Sequence, residues 1–153
     1  MTTIVYDHKN KQIAVDSRAT SGGLITSDED IKWFYIKNEL WVMCGALCDK
    51  EVIIKAFESG DRAYEIKEIP DANAIVFRDG KVFMRGVTET GEAWTQELTH
   101  NRCLGSGSSF ALAALDHGKS AREAVQYAAT RDCYTGGKVH VFDIESARFF
   151  DEK

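Results

Sequence analysis

The feature that most constrains how this chain folds is a pair of β-rich runs, residues 74–78 and 81–87, that meet at Asp79-Gly80. An Asp-Gly pair between two apolar-alternating segments signals a two-residue type I′ turn, because both central residues must take positive φ. The chain therefore contains an antiparallel hairpin, and the rest must supply a sheet around it. A second tight turn is predicted at Lys37-Asn38-Glu39, between residues 32–36 and 40–45, which carry Trp33, Phe34, Tyr35, Trp41 and Val42. Shorter strands are expected over residues 3–6, over 12–19 with Ile13 and Val15 on one face, over 92–98 after Thr90-Gly91, and over 101–104. Residues 138–143 and 147–150 read as closing strands.

Elsewhere the period changes to that of a helix. Val52, Ile53, Ala56 and Phe57 fall at helical offsets within residues 49–58, and Ser59-Gly60 reads as the stop. Ser108 or Ser109 is placed to cap a helix running to Asp116, with Gly118 beyond it. Ser120 and Glu123 form the S-x-x-E capping box of another helix to about Arg131, whose apolar face is Ala121, Ala124, Val125 and Ala128. Such small side chains predict close packing on a neighbour. Strands, a helix, more strands, two helices and closing strands make an α+β chain with two sheets and segregated helices.

With 153 residues, 44% of them apolar, one domain over residues 1–153 is expected. The net charge is −5 with basic residues scattered, which excludes the basic stripe of a nucleic-acid partner. No apolar run approaches the ~20 residues of a membrane span, and the N-terminus lacks the pattern of a signal peptide. A cytoplasmic protein without membrane or nucleic-acid partners is the resulting expectation. Its four cysteines, Cys44, Cys48, Cys103 and Cys133, are then reduced thiols without the spacing of a zinc site, so neither a metal nor any other cofactor is expected.

The chemistry-bearing residues lie in separate stretches. The chain begins Met1-Thr2-Thr3-Ile4-Val5. Ile13-Ala14-Val15-Asp16-Ser17-Arg18-Ala19-Thr20-Ser21-Gly22 follows, then Lys32, then Met43-Cys44-Gly45-Ala46. Gly105-Ser106-Gly107 and Arg131-Asp132-Cys133-Tyr134-Thr135-Gly136-Gly137 come last. Singly each has an ordinary reading: a small second residue that favours methionine removal, a strand end, a solvated lysine, a loop-to-helix turn, a helix end. In this order and spacing they resemble the proteasome β-subunit family of N-terminal-nucleophile hydrolases, including its bacterial two-component relative. The resemblance covers residues 1–60 and 101–145, with 61–100 matching only as β structure. It implies a four-layer αββα sandwich of two antiparallel sheets, here with fewer helices.

An N-terminal threonine carries its own base. A hydroxyl is a weak nucleophile until its proton is taken, and an α-amine with a pKa of about 7.7–8.0 is partly neutral at pH 7. None of the four histidines falls in a triad-like motif. The resemblance implies that Thr2, exposed by loss of Met1 without any further propeptide, is the nucleophile. Lys32 would lower the pKa of the Thr2 groups or relay the proton, and Asp16 would hold Lys32 charged. The Gly45 N–H would meet the oxyanion. Ser106 and Asp132, with Thr135 and Gly136 beside them, would complete the network around the amine. Thr20 and Leu47 would line an extended substrate, and Met43 would floor a pocket preferring apolar side chains.

The implied function is a threonine endopeptidase that acts on peptides or unfolded proteins. The implied setting is a homo-oligomer, in the family a ring, served by an ATP-dependent unfoldase. Two departures stand out. Thr135 occupies a position where the family more often has serine. Residues 59–71 are too short for the family's second long helix, which builds ring contacts. The alternatives are a non-catalytic structural or regulatory subunit and an N-terminal-nucleophile amidase acting on a small amide.

Overall fold

The computed structural model describes residues 1–57 and 71–150. In chain order the strands are β1 (Thr3–Asp7), β2 (Gln12–Val15), β3 (Ala19–Ser21), β4 (Leu24–Ser27), β5 (Trp33–Ile36), β6 (Glu39–Gly45), β7 (Ala72–Arg78), β8 (Lys81–Val87), β9 (Ala93–Glu97), β10 (Arg102–Gly105), β11 (His140–Asp143) and β12 (Arg148–Phe149). The helices are α1 (Lys50–Ala56), α2 (Ser108–Asp116) and α3 (Ala121–Ala129). They fall into two units, Met1–Lys32 with Thr99–Lys153, and Trp33–Leu98.

The first unit is built on a sheet of order β10-β1-β2-β11-β12, antiparallel at every pairing. β1 is buried along its whole length, with Ile4 and Val5 both at 0% exposure. Val5, Ala14 and Val141 meet Ala111, Ala114 and Leu115 of α2 and Ala121, Ala124, Val125 and Ala128 of α3. The alanines let the helices come close to the sheet, as the sequence predicts. α3 opens with the predicted reciprocal box: the Glu123 N–H donates to Ser120 Oγ at 3.2 Å, and the Ser120 N–H to Glu123 Oε1 at 3.1 Å. α2 departs from expectation. Ser108 is its first residue rather than its cap, and Gly107 takes the cap position while donating its N–H to Thr3 Oγ1 at 3.1 Å.

Residues 12–19 do not form one strand. β2 stops at Val15 because the next polar groups find partners outside the ladder. The Ser17 N–H donates to the Gly136 carbonyl at 3.1 Å, and Ser17 Oγ to the Asp28 carbonyl at 2.7 Å. The chain then enters the β3–β4 hairpin, which turns on Gly22 and Gly23 at φ 56° and 81°. Leu24 and Ile25 of this hairpin are 72% and 54% exposed, so no buried face imposes the alternation that would have revealed it.

The second unit is an antiparallel meander, β5-β6-β7-β8-β9. Its turns follow the sequence. Lys37 and Asn38 have φ 46° and 67°, and Asp79 and Gly80 have φ 50° and 76°, the positive pair a type I′ turn requires. α1, preceded by a 3₁₀ turn at Leu47–Asp49, lays Ile53 and Ala56 against Trp41, Met43, Ala74 and Val76. Buried Arg85 forks onto Glu39 at 3.1 Å through each oxygen and lies over the Trp41 and Phe57 rings at 4.9 Å. The predicted stop at Ser59-Gly60 and the short stretch before Asp71 lie outside the described residues. The fold is mixed α+β with antiparallel sheets and few helices, as expected. Among the described residues no helix is long and apolar enough to cross a membrane.

Candidate active site

Thr2 precedes β1 and is 5% exposed; its carbonyl accepts from the Ser106 N–H at 2.9 Å, tying the chain start to the end of β10. Next to it, Asp16 lies fully buried where β2 ends. Lys32 Nζ and the Thr3 N–H donate to Asp16 Oδ1 at 2.8 and 3.1 Å. The Gly136 N–H and Arg18 N–H donate to Oδ2 at 3.0 and 3.3 Å. Two donors to each oxygen suit a carboxylate, which when ionised only accepts. Lys32 Nζ also donates to the Met1 carbonyl at 3.2 Å, so its ammonium touches the peptide group that joins Met1 to Thr2.

A second carboxylate organises the other side. Asp132 follows α3, and its Oδ2 accepts from Ser106 Oγ at 2.5 Å and Thr135 Oγ1 at 2.6 Å. The Tyr134 N–H donates to its Oδ1 at 3.2 Å. Burial alone would raise the Asp132 pKa, but the two hydroxyls and the N–H outweigh it and hold the carboxyl below the ordinary range. Thr135 gives its only hydroxyl proton to Asp132, so in the 2.6 Å contact between Thr135 Oγ1 and Thr3 Oγ1 it is Thr3 that donates. Thr3 in turn accepts from the Gly107 N–H.

Thr2, Asp16, Lys32, Ser106, Asp132, Thr135 and Gly136 are thus brought together in the first unit. Thr20, half-buried on β3, sits where the β3–β4 register shifts. Met43, Gly45 and Leu47 belong to the second unit. Met43 is buried in its core, and Leu47 starts the 3₁₀ turn. Gly45 has φ 110°, and a Cβ there would stand 2.1 Å from the Asp71 carbonyl oxygen. Its glycine is therefore required by the β6–β7 approach, whatever else its N–H does.

The sequence matches no family model and no curated protein. Solved structures do match. BPH from Thiobacillus denitrificans, in complex with epoxomicin, aligns at TM-score 0.68 and 19% identity over 92% of this chain and 97% of that one. Eukaryotic HslV from Trypanosoma brucei aligns at TM-score 0.67 and 19% identity over 93% and 99%. The chain has the proteasome β-type fold. A second structure of Thiobacillus denitrificans BPH agrees at TM-score 0.64 and 18% identity, covering 92% and 95%.

Within this proteasome β-type fold, sequence reasoning left some residues of the cluster without a role. Thr3 carries the hydroxyl contact to Thr135, and nothing local marks it apart from its place beside Thr2. Arg18 forks onto Asp28. That hydrogen-bonded pairing lowers the Asp28 pKa and raises that of Arg18. An Arg and an Asp ten residues apart gave no signal in the linear chain.

Proposed function

We propose that the chain is a threonine-type peptidase whose reactive residue is Thr2, released by cleavage of the Met1–Thr2 bond. The observation that carries the proposal is the buried Lys32–Asp16 pair, 2.8 Å apart, with the same ammonium against the Met1 carbonyl. While Met1 is attached, the Thr2 nitrogen is an amide and cannot act as a base. Once the bond is cut, that nitrogen becomes an amine close to a fixed cation, which favours its neutral form. The amine accepts the Thr2 hydroxyl proton as Oγ attacks the substrate carbonyl carbon. It passes the proton to the departing amine as the peptide bond breaks, leaving an ester on Thr2. Water, deprotonated by the same amine, then attacks the ester, and Oγ recovers its proton.

The likeness to BPH and HslV supports peptides and unfolded proteins as substrates, and a homo-oligomer, in ring form and with an ATP-dependent unfoldase, as the working assembly. Native mass of the purified protein tests the assembly. The catalytic test is a peptide–fluorophore amide assay on protein whose loss of Met1 is verified by intact mass. The wild type cleaves, and Thr2→Ala loses all but a residual rate while keeping its fold. An epoxyketone such as epoxomicin forms an adduct on Thr2, a reaction that needs both hydroxyl and amine. Inactivity of mass-verified wild type across varied peptides, with no adduct, refutes the reading in favour of a non-catalytic subunit. Turnover of small amides alone would instead mark an amidase.

A further inference from the structure

Arg18 takes no part in the steps above, yet its side chain donates four hydrogen bonds to three residues. Nε and Nη2 donate to the two Asp28 oxygens at 2.8 and 3.1 Å. Nη1 donates to the Cys133 and Thr135 carbonyls at 3.1 and 3.4 Å. A Cβ on Gly136 would lie 2.4 Å from the guanidinium carbon, so the loop is packed flat against the fork. The segment holding Asp28 is tied back as well: Ser17 Oγ donates to the Asp28 carbonyl, and the Asp30 N–H donates to the Ser17 carbonyl at 2.9 Å. The fork therefore joins the turn bearing Asp16, the segment leading into Lys32, and the loop bearing Asp132, Thr135 and Gly136.

Stability alone gives little reason for this arrangement. The two side chains are 19% and 42% exposed, and ion pairs so open to solvent contribute little. The arrangement does constrain geometry, because a planar guanidinium fixes carboxylate and carbonyl partners in direction as well as distance.

We propose that Arg18 is a positioning residue: its guanidinium, held by Asp28, locks the Asp16–Lys32 pair and the Asp132 loop into register around Thr2. The inference rests on the peptidase reading for its kinetics and on geometry for the rest. In mass-verified protein lacking Met1, Arg18→Lys keeps the charge but cannot span Asp28 and both carbonyls. It lowers kcat by about 10- to 100-fold with KM little changed, the scale of an ångström-level misplacement. Asp28→Asn, which removes the anchor, does the same and serves if Arg18→Lys unfolds. Methylguanidinium restores kcat to Arg18→Gly, whereas an alkylammonium ion does not.

A readout independent of turnover is the titration of the ¹⁵N-labelled Thr2 α-amine. Displacing Lys32 removes a neighbouring cation, so the midpoint moves to higher pH in both variants, and the acid limb of the kcat profile moves with it. Wild-type kcat and an unmoved amine midpoint in Arg18→Lys would overturn the proposal and leave only a role for charge. Should the wild type prove inactive, the peptidase reading fails by itself, and the amine titration still decides the role of Arg18.

Discussion

Replacing Lys32 with methionine tests whether the central ion pair is buried in the energetic sense. The two side chains are 6% and 0% exposed and 2.8 Å apart. At an effective dielectric near 20 their gross attraction is about 6 kcal/mol, most of it offset by desolvating both charges. Lys32→Met removes the attraction but leaves the Asp16 charge inside, a situation that typically costs about 3–5 kcal/mol. Asp16 keeps the N–H groups of Thr3, Gly136 and Arg18, so a value near the lower end, about 3 kcal/mol, is expected. With an m value of about 2 kcal/mol/M, the urea midpoint falls by about 1.5 M. Asp16→Asn is also destabilising, because the new NH₂ must face N–H donors. The double variant should lose less than the sum of the singles, since neither charge is then stranded. A cost below about 1 kcal/mol for Lys32→Met, the value of an exposed pair, would refute the burial argument.

Two further predictions concern titration and reactivity. The Asp132 pKa is lowered in the fold, so its contribution is present above the unfolded value of about 3.9 and is lost as pH falls through the folded value. Thermal midpoints measured below pH ~4 should therefore fall more steeply for wild type than for Asp132→Asn, and parallel curves would count against the cluster. For the thiols, burial pushes Cys103 up to about 12, Cys44 is buried, and Cys48 and Cys133 are exposed. Alkylation near neutral pH, followed by mass spectrometry, should label Cys48 and Cys133 rapidly in native protein, and Cys103 and Cys44 only after unfolding.

What was legible in the sequence was local chemistry. The turn at Asp79-Gly80 announces itself, and Asn38 marks the one at Lys37-Asn38, because few residues accept positive φ; the Ser120–Glu123 box does so because its hydrogen bonds close within one turn. The helix start at Ser108 was misplaced because the cap is decided by Thr3, whose hydroxyl takes the Gly107 N–H from 104 residues away. The β3–β4 hairpin was missed because an exposed hairpin has no hydrophobic alternation. The site has the same division. No local rule links Asp16 with Gly136 across 120 residues, or Arg18 with the Cys133 and Thr135 carbonyls. Resemblance singled out Asp16 and Gly136, but it did not identify the fork that ties their segments together. The roles read for Gly45, Met43, Leu47 and Thr20 rest on that resemblance, and Gly45 has an independent backbone reason to be glycine.

A count of protons carries the proposed mechanism one step further. Ser106 has a single hydroxyl proton, and it is committed to Asp132 at 2.5 Å. Thr135 has committed its proton to the same oxygen. With an ionised Asp132 absorbing both, Ser106 Oγ faces its other neighbours only as an acceptor. In the proposed mechanism an amine on Thr2 would have the Lys32 cation near it and Ser106, whose N–H already holds the Thr2 carbonyl, as the neighbouring acceptor. Its N–H bonds would then be drawn toward the serine, and its lone pair would stay available for the proton of its own hydroxyl. A cation that disfavours a second positive charge and an acceptor that orients the neutral base act in the same direction. In the proposed mechanism the two carboxylates would therefore act as a pair: Asp16 would anchor the cation, and Asp132 would take the Ser106 hydroxyl proton that would otherwise compete for the amine's lone pair.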